Sequence, residues 1–144
     1  MPRTHRKNKP TRVFLSYAES DRRTAALIGE HLKAAGMIVW DAAIDIEPGE
    51  NLGDALSEAL NNSDAMVALI SPASGQSPWV SREIEFALTH PRYQERLIPV
   101  LVRPTRDFPW ILNRLQFIDA TVDSKDAPNR VIEALRQPRK AIAA

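Results

Sequence analysis

The segment Ala65–Ile70 consists of six apolar residues with no alternation between apolar and polar side chains. Ser63-Asp64 and Ser71-Pro72 bound the segment, so it is too short for a core helix. A strand that is apolar on both sides has to be covered on both faces, as happens at the centre of a parallel sheet. This segment therefore predicts a layered α/β fold with a buried central strand.

Similar apolar segments recur along the chain and are separated by helical patterns. Strands are predicted at residues 13–17, 37–40, 65–70, 97–102 and 117–121. Helices are predicted from Ser20-Asp21 to Gly36, from Asn51 to Asn61, from Trp79 to His90 and from Asp126 to Pro138, with loops at 41–50, 71–76 and 103–115. The alternation predicts an open five-stranded parallel sheet with helices on both faces. Pro99 withholds one ladder hydrogen bond and favours a position near the sheet edge for the fourth strand.

One folded domain is expected over residues 11–137, since 144 residues is a common length for a single domain. Residues 138–144 form a C-terminal tail in this scheme. Residues 1–10 have no apolar periodicity and are expected to be a flexible basic tail. The basic side chains of that tail are Arg3, His5, Arg6, Lys7 and Lys9. Contact of the tail with nucleic acid or with an acidic partner is an open alternative.

Composition and motifs exclude several classes of function. The net charge of +1 offers no general attraction to nucleic acid, so such a role would need a local basic patch. The chain has no cysteine, which fits a reducing cytoplasm and excludes thiolate chemistry. No apolar segment is long enough for a membrane span, and no signal peptide is recognisable. Glycine-rich phosphate loops and a nucleophile elbow are absent, and the three histidines have no metal-ligand spacing, so no metal and no resident cofactor are expected.

The segment Ser77–Glu83 carries the main candidate for chemistry. Ser77 followed by Pro78 predicts a helix start, with serine as the N-cap and proline at the first helical position. Trp79 and Glu83 are four residues apart and share one face of that helix. The ordinary alternative is a half-buried tryptophan that packs beside a solvated surface acid. Glu85 is the nearby rival carboxylate, and it points to a different side of the helix.

Ligands of open parallel sheets bind beyond the carboxyl ends of the strands, where the strand order reverses. The loops expected at that edge are residues 16–20, 41–50, 71–77 and 103–110. Trp79 and Glu83 should therefore face a crevice near Tyr17 and Trp40, although the strand order is left open at this point.

Four motifs in register resemble those of Toll/interleukin receptor (TIR) domains, and bacterial members in particular. They are Arg12–Tyr17, the loop Asp41–Gly49 with its Pro48-Gly49 pair, Ser71-Pro72, and Trp79–Glu83. The resemblance runs from Thr11 to Arg136. It implies a flavodoxin-like five-stranded sheet and, in the enzymatic branch of the family, cleavage of the nicotinamide–ribose bond of NAD+.

The resemblance also implies roles for individual residues. Glu83 matches the catalytic glutamate of the family. The substrate-binding candidates are Tyr17, Ala18, Glu19, Trp40, Asp41, Ser77, Trp79 and Trp110. The chain departs from members that have arginines directly after the tyrosine. Arg22 and Arg23 come later and are interpreted as surface helix residues.

A single carboxylate suits this reaction, because nicotinamide leaves as a neutral amine and needs no general acid. The first hypothesis is an NAD+ glycohydrolase that yields ADP-ribose, a cyclic isomer or another ADP-ribosyl signal in bacterial antiphage or immune-type signalling. The alternatives are a scaffold that signals through TIR–TIR contacts, and an effector that depletes host NAD+. The expected partners are NAD+ as substrate, further copies of the chain, and a companion sensor or effector chain, all in the cytoplasm and without a membrane.

Overall fold

A computed structural model describes residues 10–105 and 115–137 of the chain. The strands are β1 (Arg12–Ser16), β2 (Ile38–Trp40), β3 (Ala65–Ile70), β4 (Leu97–Leu101) and β5 (Ile118–Asp119). The helices are α1 (Arg22–Ala34), α2 (Ala42–Asp45), α3 (Leu52–Asn62), α4 (Pro72–Gly75), α5 (Pro78–Thr89) and α6 (Ala127–Arg136). Short 3₁₀ turns occur at Glu19–Asp21 and Pro91–Tyr93.

The five strands form one parallel sheet in the order β2-β1-β3-β4-β5. The predicted fold class is therefore confirmed. All six residues of β3 are buried, as the apolar segment predicted. Since β1 connects to β2 on one side and pairs with β3 on the other, the strand order reverses between β1 and β3. The carboxyl ends of these two strands define where a ligand crevice is expected.

Two hydrophobic clusters cover the two faces of the sheet. On one face α1 and α6 pack on the sheet through Ile28, Leu32, Val131 and Leu135. On the other face α3 and α5 pack on it through Leu60, Val80 and Ile84, among others. The helix that carries Trp79 and Glu83 thus shares the second face with α3.

Local signals explain where the helices begin and end. Asn51 accepts a hydrogen bond from the backbone N–H of Asp54 at 3.0 Å, which confirms the predicted cap of α3. Gly36 has a φ of +92°, as expected of the glycine that ends α1. Asp126 occupies the N-cap position of α6 as predicted, but its side chain makes no cap hydrogen bond and pairs instead with Arg130 at 3.7 Å.

Other boundaries also differ from the prediction. The chain after β1 first makes a 3₁₀ turn, and α1 begins only at Arg22. The helices α2 and α4 lie in segments that were predicted to be loops. The two residues of β5 pair with Val100 and Leu101 only, so Pro99 lies before the pairing with the edge strand. Residues 1–9, 106–114 and 138–144, which include most of both predicted tails, lie outside the described residues.

Candidate functional site

The start of α5 is built as the sequence predicts. The hydroxyl oxygen of Ser77 accepts a hydrogen bond from the backbone N–H of Val80 at 3.2 Å, and Pro78 occupies the first helical position. This cap places the first turn of α5 directly after the carboxyl end of β3 and its short helix α4. The side chains of that turn consequently lie at the ligand edge of the sheet.

Glu83 is buried, with only 2% of its surface exposed. Its Oε1 atom accepts a hydrogen bond from the hydroxyl of Ser16 at 2.6 Å, at the carboxyl end of β1. The ordinary alternative of a solvated surface acid is therefore wrong for Glu83, whereas Glu85 is exposed as expected. Burial raises the pKa of Glu83 to about 8, and the hydrogen bond from Ser16 offsets part of that rise.

A cleft of about 460 Å³ opens at the carboxyl edge of the sheet. It brings together five of the sequence-predicted binding residues, from the segment after β1 and from the start of α5. They are Tyr17, Ala18, Glu19, Ser77 and Trp79. Apolar side chains of Leu15, Ile46 and Leu52 complete the wall. Glu83 and Ser16 do not themselves line the cleft, but Trp79, one helical turn before Glu83, and Tyr17, directly after Ser16, both do.

Tyr17 and Asp41 join the loops that follow β1 and β2. The tyrosine hydroxyl donates to Oδ1 of Asp41 at 2.5 Å, and Asp41 is 5% exposed. The backbone N–H of Asp41 in turn donates to Oδ2 of Asp45 at 2.7 Å. Burial and the neighbouring Asp41 raise the pKa of Tyr17 well above its ordinary value, so the phenol stays protonated and keeps donating.

Trp40 lies elsewhere than the sequence suggested. Its ring stacks on Phe14 with a centroid separation of 4.9 Å and an interplanar angle of 18°. The parallel pairing that sets Phe14 opposite Trp40 directs both rings to the face covered by α3. Trp40 lines a neighbouring groove with Asp45 and Ala59, and not the cleft of Tyr17 and Trp79. Trp110 lies outside the described residues.

Sequence reasoning missed a buried cluster around Asp21. This carboxylate is 1% exposed and accepts a hydrogen bond from the hydroxyl of Ser71 at 2.5 Å. Arg103 pairs with its other oxygen at 3.4 Å and donates to the carbonyl oxygen of Ser20 at 3.3 Å. The cluster thereby ties the loops after β1, β3 and β4 together. The acid at a helix start was visible in the sequence, but its distant partners were not.

The sequence analysis interpreted Arg22 only as a surface helix residue, but Arg22 also lines the cleft. It lines the cleft with Tyr17 and Trp79, and it pairs loosely with Glu19 at 3.8 Å. Its side chain is 58% exposed, so its guanidinium group is available to an anion at the first turn of α1. No group of acidic or histidine side chains suited to a metal ion occurs in the described part of the chain.

Comparison with known proteins agrees with this fold. A sequence profile of the TIR domain family matches residues 13–135. The stimulator of interferon genes protein of Magallana gigas is 32% identical over 131 residues, which cover 88% of this chain and 31% of that protein. A metazoan TIR-STING receptor from C. gigas, solved in complex with 2′,3′-cGAMP, superposes with a TM-score of 0.75 at 30% identity, over 88% of this chain and 39% of that one.

The TIR domain of the Toll-related receptor TRR-2 of Hydra magnipapillata has the same fold. Its TM-score is 0.73 at 22% identity, and the match covers 87% of this chain and 98% of that one. The chain belongs to the TIR domain family. It spans about a third of the curated relative that it matches, so the cyclic dinucleotide bound by the C. gigas receptor is a property of that longer protein. These relatives come from animals and give no support to the expected bacterial source.

Within the described residues, no helix combines the length and the hydrophobicity that crossing a membrane requires.

Proposed function

We propose that this TIR domain cleaves the nicotinamide–ribose bond of NAD+. The observation that carries the proposal is the carboxyl group of Glu83, which is buried against Ser16 and lies on the same helix as Trp79, one of the residues that line the cleft with Tyr17 and Ser77. Family membership supports the proposal, because the family includes enzymes of this kind.

The reaction requires little acid–base catalysis from the protein. The bond between the ribose carbon and the pyridinium nitrogen breaks, and both of its electrons leave with neutral nicotinamide. A water molecule then adds to the ribose carbon and loses a proton, which gives ADP-ribose. If a nucleophile of the substrate itself adds instead, the product is cyclic. The carboxylate of Glu83 would stabilise the positive charge that develops on the ribose carbon.

The surrounding side chains fit the substrate. Trp79 offers an aromatic face for a flat ring at the wall of the cleft, and Ser77 offers a polar group beside it. The exposed guanidinium of Arg22 is placed to meet a diphosphate, which supplies the basic group that the sequence analysis did not find after Tyr17. Ala18 and Glu19 complete this side of the cleft.

Glu83 has to be ionised to act on a cation. With a pKa of about 8, about one tenth of the carboxyl groups are charged at pH 7 in this conformation. A bound pyridinium would favour the charged form, because a nearby positive charge lowers the pKa of a carboxyl group. The substrate would therefore help to ionise the residue that reacts with it.

The test is release of nicotinamide from NAD+ by the purified chain. Glu83→Gln keeps the size of the side chain and removes the charge, so we expect a loss of activity of about 100-fold or more. Glu85→Gln is the matched control, because Glu85 is exposed two residues further along the same helix. Full activity in Glu83→Gln, with an unchanged melting temperature, would reject the assignment.

A scaffold that acts through TIR–TIR contacts is the second candidate. It is favoured by the exposure of the acidic segment 47–50, which leaves the loop after β2 free for docking. Wild-type protein that releases no nicotinamide at any concentration, but still self-associates, would support this alternative over the enzyme.

We also propose a reaction product and a cellular setting for the enzyme. Following the family resemblance, we place the reaction in the cytoplasm, with an ADP-ribosyl product that signals in bacterial antiphage or immune-type defence. Mass spectrometry separates the products, since a cyclic isomer is lighter than ADP-ribose by one water. Phage challenge of bacteria expressing the chain or Glu83→Gln tests the setting; equal survival of both cultures argues against it.

A further inference from the structure

Ser16 is a buried polar residue at the end of an otherwise apolar stretch of β1. It is 1% exposed, as deeply buried as the three apolar residues before it. Burial of a hydroxyl group costs free energy unless the group makes a hydrogen bond. The Ser16 hydroxyl donates to Oε1 of Glu83 at 2.6 Å. Two polar side chains that are 67 residues apart in sequence are therefore buried against each other.

The geometry of β1 directs the serine toward α5. Side chains two residues apart on a strand share a face, so Ser16 lies on the face of Phe14. Phe14 belongs to the hydrophobic cluster under α3 and α5, whereas Leu15 belongs to the cluster on the opposite face. The neighbour of Ser16 on β3 is Ala68, whose side chain is a single methyl group. The sheet thus fixes where the hydroxyl group lies relative to the helix.

Ser16 is the only hydrogen-bond partner of the Glu83 carboxyl group within residues 10–105 and 115–137. Only Oε1 is engaged, so Oε2 has no protein donor in that part of the chain. The last torsion of a glutamate side chain has a broad energy profile, and packing alone orients the carboxyl plane poorly. One hydrogen bond therefore decides which oxygen of Glu83 is held and which one is left for a ligand.

No charged side chain in the described part of the chain substitutes for this contact. Burial raises the pKa of Glu83 to about 8, and the Ser16 hydrogen bond is the one influence that lowers it. The neighbouring elements β3 and α4 contain no ionisable residue. Arg12 is at the other end of β1, and Arg92 and Tyr93 come after the carboxyl end of α5. Support for an ionised Glu83 consequently comes from the serine.

We propose that Ser16 is a positioning residue for NAD+ cleavage, and that its hydroxyl holds Oε1 of Glu83 so that Oε2 meets the positive charge on the ribose carbon. The inference rests on the function proposed for Glu83. Ser16 contacts no substrate in this scheme and acts through the carboxyl group alone. A hydrogen bond to a carboxylate is stronger than one to the neutral acid, so the serine favours the form that reacts.

The experiment compares steady-state nicotinamide release by the wild type and Ser16→Ala from about pH 6 to pH 10. We expect kcat on the high-pH plateau to fall by about tenfold and KM for NAD+ to change by less than about twofold, because only the orientation of the reacting group is lost. The rising limb of kcat/KM should move up by about one pH unit, because the carboxylate loses its donor. Ser16→Thr keeps a hydroxyl group and should restore both quantities.

Ser63→Ala is the matched control. It removes the same atom from another buried serine, whose hydroxyl donates to the carbonyl oxygen of Ala59 at 2.7 Å, next to the end of α3. Both alanine variants lose a buried hydrogen bond and should lower the melting temperature. Only Ser16→Ala should move the pH profile, which a purely structural role of Ser16 would leave unchanged.

Two further measurements keep the test decisive. Titration of the Glu83 carboxyl by NMR in protein labelled with ¹³C-glutamate reports the shift of its pKa without turnover. Ser16→Cys replaces the hydroxyl with a weakly donating thiol, and it should give the same changes in smaller measure if Ser16→Ala does not fold.

The proposal is overturned if the wild type is active and Ser16→Ala keeps its kcat and its pH profile, or if Ser63→Ala changes both as much. Ser16→Cys with the kcat and pH profile of the wild type would overturn it in the same way. A wild type that releases no nicotinamide overturns the function proposed for Glu83, and the role of Ser16 with it. Failure of the positioning role alone is thus distinguishable from failure of the enzyme.

Discussion

The carboxyl groups of Glu83 and Asp41 have different hydrogen-bond partners, and we expect them to have different roles. Glu83 accepts a hydrogen bond from the neutral hydroxyl of Ser16, and its burial favours the protonated form. Asp41 accepts a hydrogen bond from Tyr17 and joins two loops. We therefore propose the chemistry for Glu83 and a positioning role for Asp41.

The pKa of Glu83 predicts the pH dependence of catalysis. If the ionised form reacts, as proposed, then the pKa of about 8 for Glu83 in the free protein means that kcat/KM for NAD+ should rise by about tenfold per pH unit below pH 8 and level off above it. Initial rates of nicotinamide release between pH 6 and pH 9, in buffers of constant ionic strength, would show the curve. A flat profile would mean that Glu83 is already charged in the free protein.

The same pKa predicts a pH dependence of stability. The ordinary pKa of 4.5 applies to the unfolded chain and about 8 to the folded one, so between these values the folded state holds a proton that the unfolded state has lost. The free energy of unfolding therefore falls as the pH rises from about 4.5 to 8, by at most ~1.4 kcal/mol per pH unit from this group.

Glu83→Gln removes this contribution. Relative to the wild type, the variant should gain stability steadily from pH 5 to pH 8 and no further above that. Urea unfolding of both proteins across this range measures the difference. A difference that stays constant with pH would contradict the burial of an ionisable Glu83.

At the scale of elements, side-chain contacts connect the loops at the carboxyl edge to one another. Asp21 connects the loop after β1 to Ser71 at the end of β3 and to Arg103 after β4. Ser71 also caps α4 through Ser74. These contacts explain how short, polar loops can present Tyr17 and Trp79 on two sides of one cleft.

Asp21→Ala should lower the free energy of unfolding by about 2 kcal/mol, because it leaves the buried Ser71 hydroxyl without its acceptor. Arg103→Ala should cost less, about 1 kcal/mol or below, since the arginine is 56% exposed and water replaces part of the contact. Chemical unfolding at pH 7 compares the two. An equal or larger loss in Arg103→Ala would contradict this ranking.

At the scale of the molecule, buried acidic side chains and a group of arginines lie at opposite edges of one sheet. The carboxyl edge carries Asp21, Asp41 and Glu83, while the amino edge carries Arg12, Arg92 and Arg96. The parallel sheet keeps these edges apart. TIR domains also self-associate, and the exposed loop after β2 is available for contact between copies.

If assembly completes the active site, nicotinamide release per chain should rise with protein concentration. The expected result is a rate that increases more steeply than in proportion to the amount of protein, and then becomes proportional once assembly saturates. Enzyme assays over a hundredfold concentration range, paired with light scattering, measure both quantities. A rate strictly proportional to concentration throughout would show that a single chain is sufficient.

The sequence by itself determined the fold class, the five strands and the four longer helices, because the signals for them are local, whereas it missed the short helices α2 and α4. The apolar segment Ala65–Ile70, the caps at Asn51 and Ser77, and the glycine at Gly36 act within a few residues of themselves. The predicted start of α1 was wrong because the side chain of Asp21 does not cap the helix. It contacts the distant residues Ser71 and Arg103 instead.

Only the tertiary structure decided which side chains meet. Hydrophobic patterning is the same for any order of buried parallel strands, so it does not bring Ser16 to Glu83, 67 residues away, or Asp21 to Ser71, 50 residues away. Hydrophobic patterning also does not predict that Trp40 stacks on Phe14. Nor does it predict that Arg12, Arg92 and Arg96, which are distant in sequence, line one cleft. The strand order β2-β1-β3-β4-β5 sets these contacts, since it places the ends of β1 and β3 side by side.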